Sequence, residues 1–429
     1  MNVVAIHTNP RPNPRLAYTI DILNDHPFVK ARRLFFTIEG QGEINVSYGL
    51  AEIEGSFYIP RQELILEDVS GEYVANEYSY GDEQIYSVEL ASSSKSSEFY
   101  NDGQFGFDLF EAIFFHLSRY EERSLDFSAF LSNKLAFERS LLTVKAGLEK
   151  RPLVDELVAA FLEVLTGEKA DYSKPTVLSH DIDFIQKFKS PFSIVRKIAG
   201  HIRHRKSMSG FPKLWKSYMD YLLRGRDGFD TFDWMISELK IDKSIYFLVG
   251  GKHKEDNEYS LKSKVVQKAF RLAKERNYII GIHPSYESWN DIDLIRAEKE
   301  KLEHEVGIEI SISRQHFLNF DISITPRLLE NLGIREDSSI GFTRYVGYRC
   351  GTGLPYKLYD FVNEKAFDVV EIPLVFMDVA WLFEAIRLDN FTLPDLSKYY
   401  GSFNFHNSTF DEMEVRGINM KEHYMKIFG

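Results

Sequence analysis

The strongest constraint on the fold is an alternation of strand-like and helix-like segments that begins after Pro175. Predicted strands are PTVLSHDID, SIYFLVGG, YIIGIHPS, IEISISRQHF, FDVVEIPLVFM and GSFNFHN. Helical periodicity lies between them, around residues 191–240 and in the segments LKSKVVQKAFRLAKERN, DLIRAEKEKLEHEVG and AWLFEAIRL. Such alternation predicts parallel β/α units with right-handed connections. Six or seven units predict a closed or nearly closed barrel, in which functional groups lie at the carboxyl ends of the strands.

The first 170 residues have a different pattern of predicted strands and helices. Short β-type runs come first: LFFTIEG, INVSYGL, SFYIP, LILEDVS and QIYSVEL. Two amphipathic helical segments follow, FDLFEAIFFHLSRYEERS and PLVDELVAAFLEVLTG. The polar stretch 168–175 ends in proline, which biases the preceding residue away from helix, so it is interpreted as a linker. The sequence therefore predicts an α+β domain over 1–170 and a barrel over 171–429.

Composition excludes several classes of protein. The 429 residues carry 52 Lys and Arg against 64 Asp and Glu, a net charge of −12, which is a poor basis for nucleic-acid binding. The single cysteine, Cys350, can form no internal disulfide, and a lone cysteine is expected to be chemically inert. The opening residues lack a basic-then-apolar signal segment, and no apolar run is long enough for a membrane span. We therefore expect a cytoplasmic protein.

Acidic side chains end the first strand of the alternating region. In VLSHDID the two-residue period of a strand puts Asp181 and Asp183 on one face, after an apolar start. Carboxylates that face a barrel interior are costly unless they hold a metal, a cation or a reacting proton. The alternative is that they cap the next helix or pair with an arginine.

Histidines take the corresponding place on later strands. His283 ends an apolar strand and is a candidate metal ligand, because aspartate with neutral imidazole suits Zn²⁺ and other first-row divalent ions. In IEISISRQHF the same parity groups Arg314 with His316. Arg314 could pair with Asp181 and lower its pKa, whereas His316 could bind metal or contact substrate. His406 ends the last strand, where an imidazole is a candidate general acid. Turn and salt-bridge roles stay open as alternatives.

The run GYRCGTGLP has closely spaced glycines but lacks both the Lys-Ser/Thr ending of a phosphate-binding loop and a dinucleotide fingerprint. Its glycines are therefore expected to serve turns. Arg349 within this run and Ser285, two residues after His283, are assigned to substrate contact.

Six motifs resemble, in order, those of the polysaccharide deacetylases of the NodB-type carbohydrate esterase superfamily: LSHDID, GIHPSY, SRQHFL, GYRCGT with PY, EIPLVFMD and FHN. The likeness is greatest to a bacterial branch in which the deacetylase-like barrel follows an uncharacterised amino-terminal domain. The segment LFEAIFFHLSRYEE resembles the end of that leading domain. The resemblance covers almost the whole chain. It implies an α/β protein with a distorted, seven-stranded (β/α) barrel that is preceded by the smaller α+β domain.

The resemblance also implies roles for individual residues. In the superfamily a divalent metal, commonly zinc, binds one aspartate and two histidines, while a second aspartate acts as base and a histidine as acid. By motif, Asp181 resembles the base, Asp183 and His283 resemble metal ligands, Arg314 resembles the residue that tethers the base, and His406 resembles the acid.

One position departs from the superfamily pattern. The second ligand histidine lies four residues after the first in the superfamily, and this sequence has Glu287 there. Either Glu287 or His316 is expected to complete the site, unless water fills the gap or metal is absent.

Three functions follow as hypotheses. The first is a metal-dependent hydrolase that removes acetyl groups from an N-acetylated sugar or saccharide precursor in surface-polysaccharide metabolism. The second is a catalytically inactive glycan-binding or scaffold protein of the same fold. The third is a barrel glycosidase that uses two carboxylates from different strands. Asp181 and Asp183 share a strand, Glu371 could be a distant partner, and this reaction leaves His283 and His406 without roles. The oligomeric state does not follow from the sequence.

Overall fold

The structure, a computed structural model, describes residues 2–8, 13–38, 40–50, 53–69, 71–91, 96–123, 125–188, 194–195, 211–237, 239–256, 259–411 and 418–428. Part of the helical region predicted around residues 191–240 therefore lies outside the described residues. The chain forms two compact units, Met1–Pro175 with Phe320–Val375, and Thr176–Asn319 with Phe376–Gly429. The division into domains at residue 170 stays a prediction.

The strands are numbered in chain order. They are β1 Asn2–Thr8, β2 Leu34–Ile38, β3 Ile44–Tyr48, β4 Phe57–Ile59, β5 Tyr73–Tyr80, β6 Glu83–Leu90, β7 Tyr100–Asn101, β8 Gln104–Phe105, β9 Thr176–Ile182, β10 Lys243–Leu248, β11 Ile279–His283, β12 Ile312–Ser313, β13 Glu336–Asp337, β14 Tyr356–Asp360, β15 Lys365–Glu371, β16 Leu374–Met377 and β17 Gly401–His406.

The α-helices are Pro14–Asp25, Pro27–Ala31, Leu109–Leu117, Tyr120–Arg123, Phe127–Ser132, Lys134–Ser140, Leu142–Lys145, Leu153–Thr166, Phe211–Arg224, Phe232–Met235, Lys264–Glu275, Ile292–Val306, Thr325–Asn331, Asp378–Leu388 and Met420–Phe428. Short 3₁₀ turns are Ser288–Asn290, His316–Leu318, Leu396–Lys398 and Asn407–Phe410. Within the described part of the chain, no helix is both long and apolar enough to span a bilayer.

The first unit mixes strands and helices. Its main sheet has the order β2-β1-β3-β4-β8-β7, with β1 parallel to both β2 and β3, and β5 pairs with β6 as a separate antiparallel hairpin. Strands β13, β14 and β15 also belong to this unit, where β15 runs parallel to β13 and antiparallel to β14.

One strand predicted in this unit is wrong. In LILEDVS, Leu64 lies in a turn, where Arg15 Nη1 donates to its carbonyl and its N–H donates to Glu111 Oε2, each at 2.8 Å. Side chains thus satisfy the backbone groups that a strand partner would otherwise satisfy.

The second unit has the predicted β/α character. Its strands include the run β17-β9-β10-β11-β12, in which every neighbouring pair is parallel. All six residues of β10 and all six of β17 are buried, as expected for parallel strands covered on both faces. The predicted α/β class is confirmed, while the seven-strand count stays a prediction.

The parallel register brings the carboxyl ends of these strands to one edge. His406 of β17 pairs with Asp181 of β9, and Leu248 of β10 pairs with His283 of β11. The strand predicted over IEISISRQHF is shorter than expected, because β12 covers only Ile312–Ser313 and a 3₁₀ turn begins at His316. This early end places His316 in a loop.

Candidate metal centre

Three potential metal ligands converge at the carboxyl ends of β9, β11 and β12. Asp183 follows β9, His283 ends β11 and His316 lies three residues after β12. Their ligand atoms all lie within 4.8 Å of one another, the one such group of three or more His, Cys, Asp or Glu ligands in the described residues. His283 Nε2 lies 3.3 Å from Asp183 Oδ1, and His316 Nε2 lies 3.7 Å from Asp183 Oδ2.

The backbone directly after β12 orients His283. Its Nδ1 lies 2.5 Å from the carbonyl oxygen of Arg314. A carbonyl oxygen can only accept, so Nδ1 carries the hydrogen and Nε2 is the nitrogen that faces Asp183. The ring is 2% exposed, so this orientation is maintained inside the fold.

A carboxylate orients His316. Its Nδ1 lies 2.9 Å from Oδ1 of Asp256, and the side chains of both residues are buried. The turn that carries the imidazole has two consecutive residues in the left-handed region, Phe317 at φ 58° and Leu318 at φ 54°. Non-glycine residues adopt this conformation at a cost, which is found most often at functional sites.

The donor set fits a divalent metal of the first transition row. Two imidazoles and one carboxylate are ligands that Zn²⁺ accepts at about 2.0–2.2 Å, which places neighbouring ligand atoms roughly 3.4 Å apart in a tetrahedral site. The distances of 3.3 and 3.7 Å from Asp183 match that spacing. Both histidines present Nε2 and use Nδ1 for a hydrogen bond, the usual arrangement of metal-binding imidazoles. Asp183, His283 and His316 would therefore hold the ion.

A second aspartate lies beside this group in a separate hydrogen-bond network. Asp181 accepts from Arg314 Nη1 at 2.9 Å through Oδ1, and from Asn404 Nδ2 at 2.7 Å through Oδ2. Arg314 also packs over the ring of Tyr246, with its guanidinium carbon 4.5 Å from the ring centroid. Gly281 lies beside the same ring, and a Cβ at this position would lie 2.6 Å from the ring of Tyr246.

A third imidazole faces both aspartates. His406 Nδ1 lies 2.7 Å from Asp378 Oδ1, and its backbone N–H donates to Asp378 Oδ2, also at 2.7 Å. Its Nε2 lies 3.6 Å from Asp183 Oδ2 and 3.8 Å from Asp181 Oδ2. Asp378 thus fixes the ring so that Nε2 points toward the site.

Burial and charge act in opposite directions on the titratable groups. Burial favours neutral imidazole, but the carboxylates of Asp378, Asp183 and Asp181 outweigh it and raise the pKa of His406 to about 10. In the same way Asp183 and Asp256 raise the pKa of His316 to about 9 against the effect of burial. Burial opposes ionisation of Asp181, yet Arg314 keeps the pKa of that carboxyl below its ordinary value. Without a bound cation, these pKa shifts favour the ionised form of Asp181 and the protonated forms of His316 and His406.

Three further residues predicted for the site are not among the three converging ligands. Glu287 is exposed and is not a member of the ligand group. Ser285 is buried, and its backbone N–H donates to Glu298 Oε2 at 2.9 Å. Arg349 belongs to the first unit, where its Nη2 pairs with Glu122 Oε2 at 2.7 Å.

The sequence analysis missed the carboxylates that orient the histidines. Asp378 ends the motif EIPLVFMD, and its position directly after a buried strand was the available signal. Asp256 lies in a polar loop, where nothing in the local pattern indicates a partner 60 residues further along the chain.

Residues 4–169 match a family model described as a family of unknown function (DUF7033). This range contains none of the residues of the centre. No curated protein sequence matches the chain.

Two crystal structures align with part of the chain. One is a "putative polysaccharide deacetylase involved in o-antigen biosynthesis" from Bordetella bronchiseptica, with 14% identity, a TM-score of 0.26, and coverage of 57% of this chain and 81% of the other. The second is a "putative polysaccharide deacetylase" from Mycobacterium smegmatis, with 12% identity, a TM-score of 0.31, and coverage of 59% and 86%. Such low TM-scores do not establish a shared fold.

Proposed function

We propose that this protein is a metal-dependent hydrolase that removes the acetyl group from an N-acetylated sugar or saccharide precursor. The observation that carries the proposal is the convergence of the Asp183, His283 and His316 ligand atoms within 4.8 Å, with His406 Nε2 facing both Asp181 and Asp183. The motif resemblance to polysaccharide deacetylases supports the choice of an acetamido substrate. We further propose zinc as the metal and surface-polysaccharide metabolism as the setting.

A bound divalent cation would supply a Lewis acid that polarises the acetamido carbonyl and acidifies water. The protein supplies the proton transfers. Asp181 is ionised and held by Arg314 and Asn404, so its carboxylate can accept a proton from the attacking water. The oxygen of that water then bonds to the carbonyl carbon.

His406 supplies the second proton transfer. Its Nε2–H faces the two aspartates, while Asp378 holds Nδ1. Donation of this proton to the amide nitrogen lets the carbon–nitrogen bond break and the amine leave. The products are a free amino sugar and acetic acid, which ionises to acetate by losing its proton to solvent, and the proton taken up by Asp181 balances the one given by His406.

The test is acetate release from a panel of N-acetylated sugars and sugar nucleotides, with the protein loaded with Zn²⁺, Co²⁺ or Mn²⁺. We expect acetate and primary amine to appear in equal amounts with wild type and with Glu287→Gln, and neither with Asp181→Asn. Product formation that Asp181→Asn does not reduce would overturn the assigned chemistry. A wild-type protein that binds no divalent metal would favour a glycan-binding or scaffold protein instead.

A further inference from the structure

The loop after β11 is held by two buried carboxylates from different parts of the second unit. Asp256 Oδ1 accepts from the backbone N–H of Tyr286 at 3.0 Å, and Glu298 Oε2 accepts from the backbone N–H of Ser285 at 2.9 Å. The side chain of Asp256 is 1% exposed and Glu298 is 4% exposed. Both therefore fix the loop that directly follows the candidate ligand His283.

Only one of the two carboxylates also contacts the centre. The Oδ1 atom of Asp256 that accepts from Tyr286 lies 2.9 Å from His316 Nδ1. In addition, Asn319 Nδ2 donates at 2.8 Å to the carbonyl of Tyr286, so a second bond ties the His316 turn to the same loop. Asp256 thus links the segment that carries one imidazole to the segment that carries the other.

Two glycines shortly after β10 leave room for these carboxylates. A Cβ at Gly251 would lie 2.0 Å from Asp256 Oδ2, and a Cβ at Gly250 would lie 2.7 Å from Glu298 Oε1. Gly251 also has φ +97°, a backbone conformation that side chains rarely adopt. Two successive glycines therefore provide the space in which Asp256 and Glu298 approach the backbone.

We infer that Asp256 is the positioning residue for His316. Together the two residues replace the second ligand histidine of the superfamily pattern, at whose position this chain has Glu287. This inference rests on the proposed function, because it assigns how the same centre gains its second histidine. Asp256 accepts the hydrogen on Nδ1 of His316 and so fixes the ring with Nε2 facing Asp183. The negative charge of Asp256 also increases the basicity of Nε2 toward a cation. Glu287 is exposed and takes no part.

The test compares two isosteric variants of the full-length protein. Asp256→Asn keeps acceptor capacity for the Tyr286 N–H but removes the charge that faces His316, whereas Glu298→Gln removes a buried charge that holds the same loop without contacting an imidazole. Zn²⁺ affinity is measured by competition with a chromogenic chelator, and the visible spectrum of bound Co²⁺ reports ligand geometry. We expect Asp256→Asn to weaken Zn²⁺ binding about 10–100-fold and to alter the Co²⁺ spectrum, with Glu298→Gln close to wild type.

A double variant tests whether Asp256 acts through His316. In a His316→Ala background, Asp256→Asn is expected to have no further effect on Zn²⁺ affinity. Equal affinities for wild type and Asp256→Asn, or equal losses for Asp256→Asn and Glu298→Gln, would overturn the inference and leave the proposed function standing. A wild-type protein that binds neither Zn²⁺ nor Co²⁺ would overturn both.

A measurement on the wild-type protein covers the case in which Asp256→Asn fails to fold. In ¹⁵N-histidine-labelled protein loaded with Zn²⁺, we expect His316 to carry its proton on Nδ1 and to bind through Nε2. Binding of the ion through Nδ1 of His316, or an imidazole unaffected by Zn²⁺, would contradict the role of Asp256.

Discussion

Arg314 Nη1 donates a 2.9 Å hydrogen bond to Asp181 Oδ1, and the two side chains are 0% and 2% exposed. Few ion pairs are this completely removed from water. A buried pair of this kind contributes little net stability, but removal of one partner leaves an uncompensated charge inside the protein. Substitution of either residue is therefore expected to affect both the stability of the protein and the chemistry of the centre.

The first prediction is a strong coupling between these two residues. Arg314→Met alone should lower the free energy of unfolding by about 3–5 kcal/mol, because the Asp181 carboxylate loses its partner. The double variant Asp181→Asn/Arg314→Met should lose much less than the sum of the two single changes. Urea unfolding of the four proteins measures the coupling. Additivity within about 0.5 kcal/mol would mean that the pair does not interact as described.

The second prediction concerns His406 and the carboxylate that orients it. His406→Gln should reduce turnover of the acetylated substrate about 10²–10⁴-fold, the usual contribution of a positioned acid. Bound zinc should be unchanged, because His406 is outside the ligand group. Asp378→Asn keeps the bond to Nδ1 without the charge, so its loss of turnover should be smaller. A zinc content that falls with turnover in His406→Gln would assign the residue to metal binding instead.

The third prediction concerns pH and a buried acid in the first unit. Burial and the charge of Asp108 raise the pKa of Glu111 to about 8, and burial raises that of Asp108 to about 7. A raised carboxyl pKa gives stability that is complete below the ordinary value of 4.5 and is lost as the pH rises through about 8. Glu111→Gln, which keeps an acceptor for Leu64 N–H, should therefore gain stability relative to wild type on going from about pH 5 to about pH 9.

Glu67→Gln is the control for this effect, because it removes the same charge at an exposed position of the same unit. Chemical denaturation at each pH gives the difference in unfolding free energy between each variant and wild type. The prediction would be contradicted if the difference in unfolding free energy between Glu111→Gln and wild type changed with pH no more than the difference between Glu67→Gln and wild type.

The fourth prediction separates backbone strain from steric contact at Gly251. Gly307 has a similar positive φ of +75°, and a Cβ there would meet no atom within 4 Å. Gly307→Ala should therefore cost about 1–2 kcal/mol of stability, from conformation alone. Gly251→Ala should cost more and should also weaken zinc binding, since its Cβ would displace Asp256. Equal thermal stability of the two variants would show that Asp256 is free to move.

The alternating pattern after Pro175 was sufficient to predict a parallel β/α unit, because a buried parallel strand requires a short apolar run between helices. It was not sufficient to predict the end of β12. The alternation in IEISISRQHF continues past Ser313, but there the chain leaves the strand for a turn with positive φ at Phe317 and Leu318. Local sequence carries no signal for such a turn when glycine is absent.

The candidate site was predictable where a polar residue follows an apolar strand. Asp183, His283 and His406 satisfy that rule, and so does Asp378 in retrospect. Asp256 does not, since its partner His316 is 60 residues away and is brought near only by tertiary structure. Arg349 pairs with Glu122 in the first unit, a partner that its glycine-rich run does not indicate, and its role in substrate contact stays a prediction.

The proposed chemistry requires that Asp183, His283 and His316 together bind one divalent metal ion. Elemental analysis of purified protein after incubation with Zn²⁺ and removal of excess metal tests it most directly, with His316→Ala and Glu287→Ala compared side by side. We expect about one zinc ion per chain in wild type and Glu287→Ala, and a large loss of zinc in His316→Ala. A wild type without zinc, or zinc retained by His316→Ala and lost by Glu287→Ala, would contradict it.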